Sequence, residues 1–185
     1  IEYNSQTQKP EIYYTPEMCQ QCDNAGCEPV CPVYATYQTP DGLNAMIYNR
    51  CVGTRYCSNN CAYKQRRFNY RTYQFPSPLH MQLNPAVSVR DKGVMEKCTF
   101  CQHRIREMKD IAKDQGRNIY DGEIQTACQQ SCPADAITFG NIKDKNSRVR
   151  QHKSTTKRGY TQLPEINFQP AITYLKKVNH NNRKA

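Results

Sequence analysis

Residues 51–61 read CVGTRYCSNNC, and residues 19–31 read CQQCDNAGCEPVC. Both stretches close on Cys-x-x-x-Cys, as Cys57 to Cys61 and as Cys27 to Cys31, and Pro32 follows the second at once. A third group repeats that ending at Cys128 and Cys132, followed by Pro133. Its opening pair, Cys98 and Cys101, lies upstream across a 26-residue insertion. All eleven cysteines of the 185-residue chain fall in these three groups. Three close cysteines with a Cys-Pro are the spacing of thiolate-ligated iron–sulfur clusters, in which the fourth cysteine of one run ligates the cluster of another. The pattern predicts an iron–sulfur electron carrier.

Two other chemistries use cysteines this densely. Disulfides would leave one of eleven cysteines over. Structural zinc also takes Cys-x-x-Cys pairs, but its tetrahedral sites do not account for a repeated Cys-x-x-x-Cys with a trailing proline. Composition agrees with clusters. The hydrophobic share is 37% and the mean hydropathy is −0.90, so the ordinary apolar core is thin. Metal ligation ties loops together and couples folding to binding, so the metal-free chain is expected to be largely unfolded. No apolar run approaches the roughly 18 residues that a spanning helix needs, and the polar opening IEYNSQTQKP is not a signal peptide. Because the sequence starts at Ile1 rather than methionine, further sequence upstream is expected.

The formal charge of +10 overstates the basicity, because cysteines counted as neutral become thiolates on iron. Lysines and arginines then offset buried cluster charge and tune the reduction potential. Nucleic-acid binding is the competing reading of such a charge, but basicity alone is only an electrostatic footprint.

Ile12, Tyr13 and Tyr14 predict a short strand leading into Cys19. Gly26 lets backbone approach a sulfur closely. Asp41-Gly42 between two β-favouring runs predicts a hairpin that delivers the chain to Cys51. Residues 62–97 form a long connection, irregular at Pro76, Pro78 and Pro85. Its start is basic and aromatic (Lys64, Arg66, Arg67, Phe68, Tyr70, Arg71, Tyr73), an exposed face packed on a partner protein or a cluster lobe. Ile105, Met108 and Ile111 or Ala112 recur at helical spacing, with Gly116 as a stop. Ala136, Ile137 and Phe139 predict a short strand. YLKKV near the end reads as a strand or docking piece. The expected class is α+β: a ferredoxin-like iron–sulfur domain over 1–140, pseudo-duplicated and incomplete, and an extended segment over 141–185 that docks on neighbouring subunits.

A complete second run would place a cysteine near position 54, where the chain has Thr54. Threonine is a poor iron ligand beside thiolate, so a [3Fe-4S] cluster is expected there. Exchange of fourth cysteines between the first two groups gives two sets. Cys19, Cys22, Cys27 and Cys61 make a [4Fe-4S] site. Cys31, Cys51 and Cys57 make the three-cysteine site. Cys98, Cys101 and Cys128 then need a fourth ligand from upstream, and Cys132 serves a cluster whose other ligands lie upstream. The simpler alternative is that these last four cysteines hold one cluster by themselves.

The order CxxCxxxxCxxxCP, then CVGTRYC…C, then KCTFCQHRI…ACQQSCPADAI resembles the four-cluster iron–sulfur subunits that accompany molybdopterin oxidoreductases and NrfD-type membrane quinone proteins. NRCVGTRYCSNNC, RDKGVMEKCTFCQHRI, NSRVR, RGY and TYLKKV further resemble the iron–sulfur portion of bacterial alternative complex III. Ala62 stands where the family's proline follows Cys61. This resemblance implies an electron-transfer subunit of a quinol-oxidising respiratory complex on the periplasmic face of the inner membrane, with no catalytic residues of its own. Its implied partners are an NrfD-like quinol-binding membrane subunit, a molybdopterin-oxidoreductase-like domain without cofactor, and multihaem cytochrome c subunits. The electron-transfer arm of a molybdopterin-dependent reductase fits the same cysteines.

Overall fold

A computed structural model describes residues 2–3, 10–12 and 14–178. Its regular elements are short and serve to position loops. Four two-stranded antiparallel ladders are present among the described residues. They pair β1 (Glu2–Tyr3) with β2 (Pro10–Glu11), β3 (Thr36–Gln38) with β4 (Asn44–Met46), β5 (Arg67–Phe68) with β6 (Met95–Glu96), and β7 (Gly159–Tyr160) with β8 (Tyr174–Leu175). The helices are α1 (Tyr56–Asn60), α2 (Gln102–Asp114), α3 (Ala127–Gln130) and α4 (Arg148–Thr155). The elements are of mixed α and β type, as expected.

The Asp41-Gly42 turn closes β3 on β4 as the sequence predicts. Gly42 takes the left-handed φ of +75° that this turn requires, and the Thr39 hydroxyl accepts from the Leu43 amide at 3.1 Å. Register sets Thr36 against Met46 and Gln38 against Asn44, and both Thr36 and Asn44 are almost fully buried. β5 and β6 clamp the ends of the long connection together, with the Asn69 amide donating to the Val94 carbonyl at 3.0 Å. The irregular part is thus a closed excursion between two pinned strands.

Helix α2 follows the predicted periodicity. Ile105 and Ala112 are buried while Ile111 faces out, and Gly116 ends the helix with φ +61°. Thr126 and Ser147 cap α3 and α4 by accepting from Gln129 and Arg150. Two strand expectations come out differently. Ile12 and Tyr14 lie in no strand, and Tyr13 falls outside the described residues. Ala136–Phe139 forms no ladder, because no neighbouring strand meets it among the described residues. Phe139 instead packs edge-on against Phe100, with ring centroids 5.5 Å apart.

The buried apolar cluster is Met46, Cys57 and Met95, with Cys27, Val30, Tyr48, Cys51 and Phe68 packed against it. Three of these eight are cysteines, so the core and the cysteine sites are the same place.

The C-terminal segment returns to the first cysteine loop. The Asp23 amide donates to the Gln169 carbonyl at 3.0 Å, and the Ala171 amide donates to the Gln20 carbonyl at 2.9 Å. The Tyr174 hydroxyl accepts from Gln20 at 2.9 Å. A side chain at Gly26 would meet the Phe168 ring at 2.6 Å, so this glycine makes room for Phe168. The segment assigned to neighbouring subunits therefore packs in part on its own chain, and it carries α4 as well as extended backbone. Residues 179–185 of it lie outside the described residues.

Candidate iron–sulfur sites

All eleven cysteines are free. Among the described residues, no three His, Cys, Asp or Glu side chains converge on a point that a single ion would occupy. A zinc site requires its thiolates within about 2.3 Å of one such point.

The first set lies in and against the loop from Cys19. Burial first, with charge repulsion from Cys19, Cys27 and Cys61, pushes the Cys22 thiol up to about 12. Burial raises Cys27 as well, against the pull of Arg66. The second set surrounds a small cleft lined by Cys31, Cys51, Cys57, Thr54, Gly53, Val52, Met46 and Met95. Burial raises Cys57, Arg66 lowers it, and Cys51 and Cys31 raise it again. Cys31 differs. Burial alone would raise it, yet the Val33, Ala35 and Thr36 amides bring it below the usual thiol value. Exposed Thr54 sits on this cleft and supplies no thiol.

In the third group, burial raises Cys98, and Cys19 and Cys128 are among its charged neighbours. Cys128 is exposed, and its sulfur meets the Thr126 hydroxyl at 3.2 Å. The Gln21 side chain is fully buried and donates to the Cys98 carbonyl at 2.7 Å, tying this group to the first loop.

One turn recurs three times. After Cys31, Cys61 and Cys132, the third residue along is Tyr34, Lys64 or Asp135, each with left-handed φ of +54°, +54° and +46°. The amide of that residue donates back to the cysteine carbonyl. The next amide, of Ala35, Gln65 or Ala136, donates to the cysteine sulfur at 3.2, 3.4 and 3.4 Å. Ala62 follows Cys61 without disturbing this geometry, so proline in that place is dispensable to the turn. The Met95 amide reaches the Cys51 sulfur at 3.5 Å, and the Ala127 amide reaches the Cys101 sulfur at 3.2 Å. Amide donors aimed at sulfur stabilise thiolate and tune a bound cluster. The residues present fit iron–sulfur clusters by donor type and by these amides.

Two cations approach the sulfurs. Lys97 Nζ lies 3.5 Å from the Cys19 sulfur and 3.0 Å from the Cys98 carbonyl. Arg66, read as part of an exposed face packed on a partner protein or a cluster lobe, is only 3% exposed. Its guanidinium donates to the Cys27 sulfur at 3.1 Å, Asn44 Oδ1 at 2.7 Å and the Thr36 hydroxyl at 2.9 Å. Taking a guanidinium out of water costs several kcal/mol, offset only when its donors are met, as they are here. Asn44 is held in turn by donating to Glu28. Nothing local in QRRFNY separates Arg66 from Arg67. Arg66 lies just before β5, and only Arg67 enters that strand.

Gly53 shapes the cleft beside Thr54. Its φ is +74°, and an added Cβ would lie 2.5 Å from the Gly93 carbonyl oxygen. Gly53→Ala is expected to destabilise the folded, cluster-loaded protein by more than about 1 kcal/mol, read as a lowered melting temperature.

Residues 10–77 match the 4Fe-4S dicluster domain family. The iron–sulfur cluster-binding subunit of menaquinone reductase from Nitratidesulfovibrio vulgaris is 39% identical over 170 residues, covering 89% of this chain and 66% of that protein. Iron–sulfur subunit 1 of the Hdr-like menaquinol oxidoreductase from Archaeoglobus fulgidus is 39% identical over 148 residues, covering 76% of this chain and 51% of that one. One subunit of the tetrathionate reductase from Salmonella typhimurium is 32% identical over 164 residues, covering 86% and 50%. The chain thus spans between about half and two thirds of the length of these relatives. The stretch from residue 10 to residue 77, with its seven free cysteines and with amides donating to the Cys31, Cys51 and Cys61 sulfurs, is thus the part of the chain that matches the 4Fe-4S dicluster domain family.

Proposed function

We propose that this chain is the electron-transfer subunit of a membrane-associated, quinone-linked oxidoreductase complex of the molybdopterin type. The observation that carries the reading is the pair of cysteine sets within a dicluster domain. The relatives' names, which include menaquinone, menaquinol and tetrathionate complexes, favour this over the narrower reading as part of alternative complex III. Iron–sulfur clusters supply one-electron transfer without acid, base or nucleophile.

In this reading Cys19, Cys22, Cys27 and Cys61 hold a [4Fe-4S] cluster, and Cys31, Cys51 and Cys57 hold a [3Fe-4S] cluster. Cys98, Cys101 and Cys128 await a fourth ligand from upstream sequence, and Cys132 serves another site there. The repeated turn at Cys132 supports treating the third group as a copy of the first two within a pseudo-duplicated fold. Residues 1–140 are the cluster domain. Residues 141–185 are a separate segment that packs on the first loop through residues 167–174 and continues onto neighbouring subunits. Quinone chemistry is assigned to a separate NrfD-like subunit, on the extracytoplasmic side; no helix among the described residues of this chain is long and apolar enough to cross a membrane.

The test is the native complex, purified without oxygen and mixed with menaquinol. Bleaching of the cluster absorbance together with molybdenum in the preparation is expected. Clusters unmoved by quinol would overturn the quinone link. Covalent haem c without molybdenum would replace the molybdopterin reading with the narrower one.

A further inference from the structure

Arg66 belongs to neither cysteine set, yet it touches the surroundings of both. One nitrogen, Nη2, donates to the Cys27 sulfur at 3.1 Å. The other, Nη1, lies 3.6 Å from Met46 Sδ, and Met46 packs in one cluster with Cys57 and Cys51. The socket is rigid. Thr36 and Asn44 sit on opposite strands of the β3–β4 hairpin and hold one nitrogen each.

We propose that Arg66 is a shared positioning charge that raises the reduction potentials of both sites together. This rests on the cluster assignment above. A fixed positive charge favours the form that has gained an electron, and burial keeps water and salt from screening it. Cys27, which Arg66 touches, lies in the four-cysteine set, and Cys57, which packs with the Met46 that Arg66 also touches, lies in the three-cysteine set. Each site gains and loses one electron. No bond forms or breaks at Arg66, and guanidinium does not give up its proton in proteins.

The test is potentiometric titration, followed by electron paramagnetic resonance, of the cluster-loaded full chain carrying R66Q, R66M or R66K. R66Q and R66M are expected to lower both reduction equilibria about tenfold, which is about 59 mV for one electron. R66K is expected to move each by less. A shift at one site only, or at neither, overturns the proposal. Should R66Q and R66M fail to assemble clusters, R66K retaining both supports the charge. Failure of R66K too would mark Arg66 as a packing element and overturn it. Iron and sulfide in the unmodified chain are measured first. Their absence would sink the cluster assignment, whereas unmoved potentials with clusters intact would sink only the role of Arg66.

Discussion

Stripping iron and sulfide from the folded protein is expected to unfold most of it. The buried apolar residues among those described are Cys22, Ala35, Ala45, Met46, Cys57, Tyr63, Met95, Ile105 and Ala112. Two of these are themselves proposed ligands and three are alanines. Among the described residues no ladder exceeds three residues per strand, and such short pairings are not stable alone. Structural metal sites contribute on the order of 10 kcal/mol to folding, as much as a whole domain's net stability. Without metal, burial leaves the Cys22 thiol pushed up to about 12, packed with no iron to share it. Circular dichroism and amide exchange, before and after chelation under reducing conditions, should show collapse of protection across residues 19–61. Helix α2, held by its own ladder of hydrogen bonds, should survive best. A metal-free chain with native protection throughout would contradict this.

The second large effect is expected from Thr54→Cys. Thr54 lines the cleft with Cys31, Cys51 and Cys57, in the place where a complete run carries its second cysteine. Threonine offers a hydroxyl, a weak partner for iron beside thiolate. A thiol there completes a four-cysteine set, and the paramagnetic signal of an oxidised three-iron centre should disappear almost entirely. A new signal should appear on reduction, with the potential shifted downward. Thr54 is exposed, so the substitution has room and the folded protein should tolerate it. Persistence of the original signal would show that position 54 does not face the cluster.

What the sequence made legible was local. The cysteine spacing, the Asp41-Gly42 hairpin, and the α2 periodicity with its Gly116 stop each depend on residues close in the chain. What it hid was long-range. Arg66 finds Asn44 and Thr36 across the hairpin, Gln21 finds the Cys98 carbonyl 77 residues away, and Phe168 fills the space left by Gly26. None of these partners carries a periodic or spacing signal. The Ala136–Phe139 strand shows the same limit from the other side, because β-favouring residues make a ladder only where another strand arrives. The recurring turn after Cys31, Cys61 and Cys132 was only half visible. Proline marks it twice, but its geometry persists after Cys61, where Ala62 stands instead.

Iron and acid-labile sulfide per chain, measured in the anaerobically purified protein, bear most directly on whether these cysteines hold clusters. Iron and inorganic sulfide are expected in about equal amounts, with a broad brown absorbance. A colourless chain holding zinc and no sulfide, or one whose cysteines are joined as disulfides, would contradict the cluster assignment.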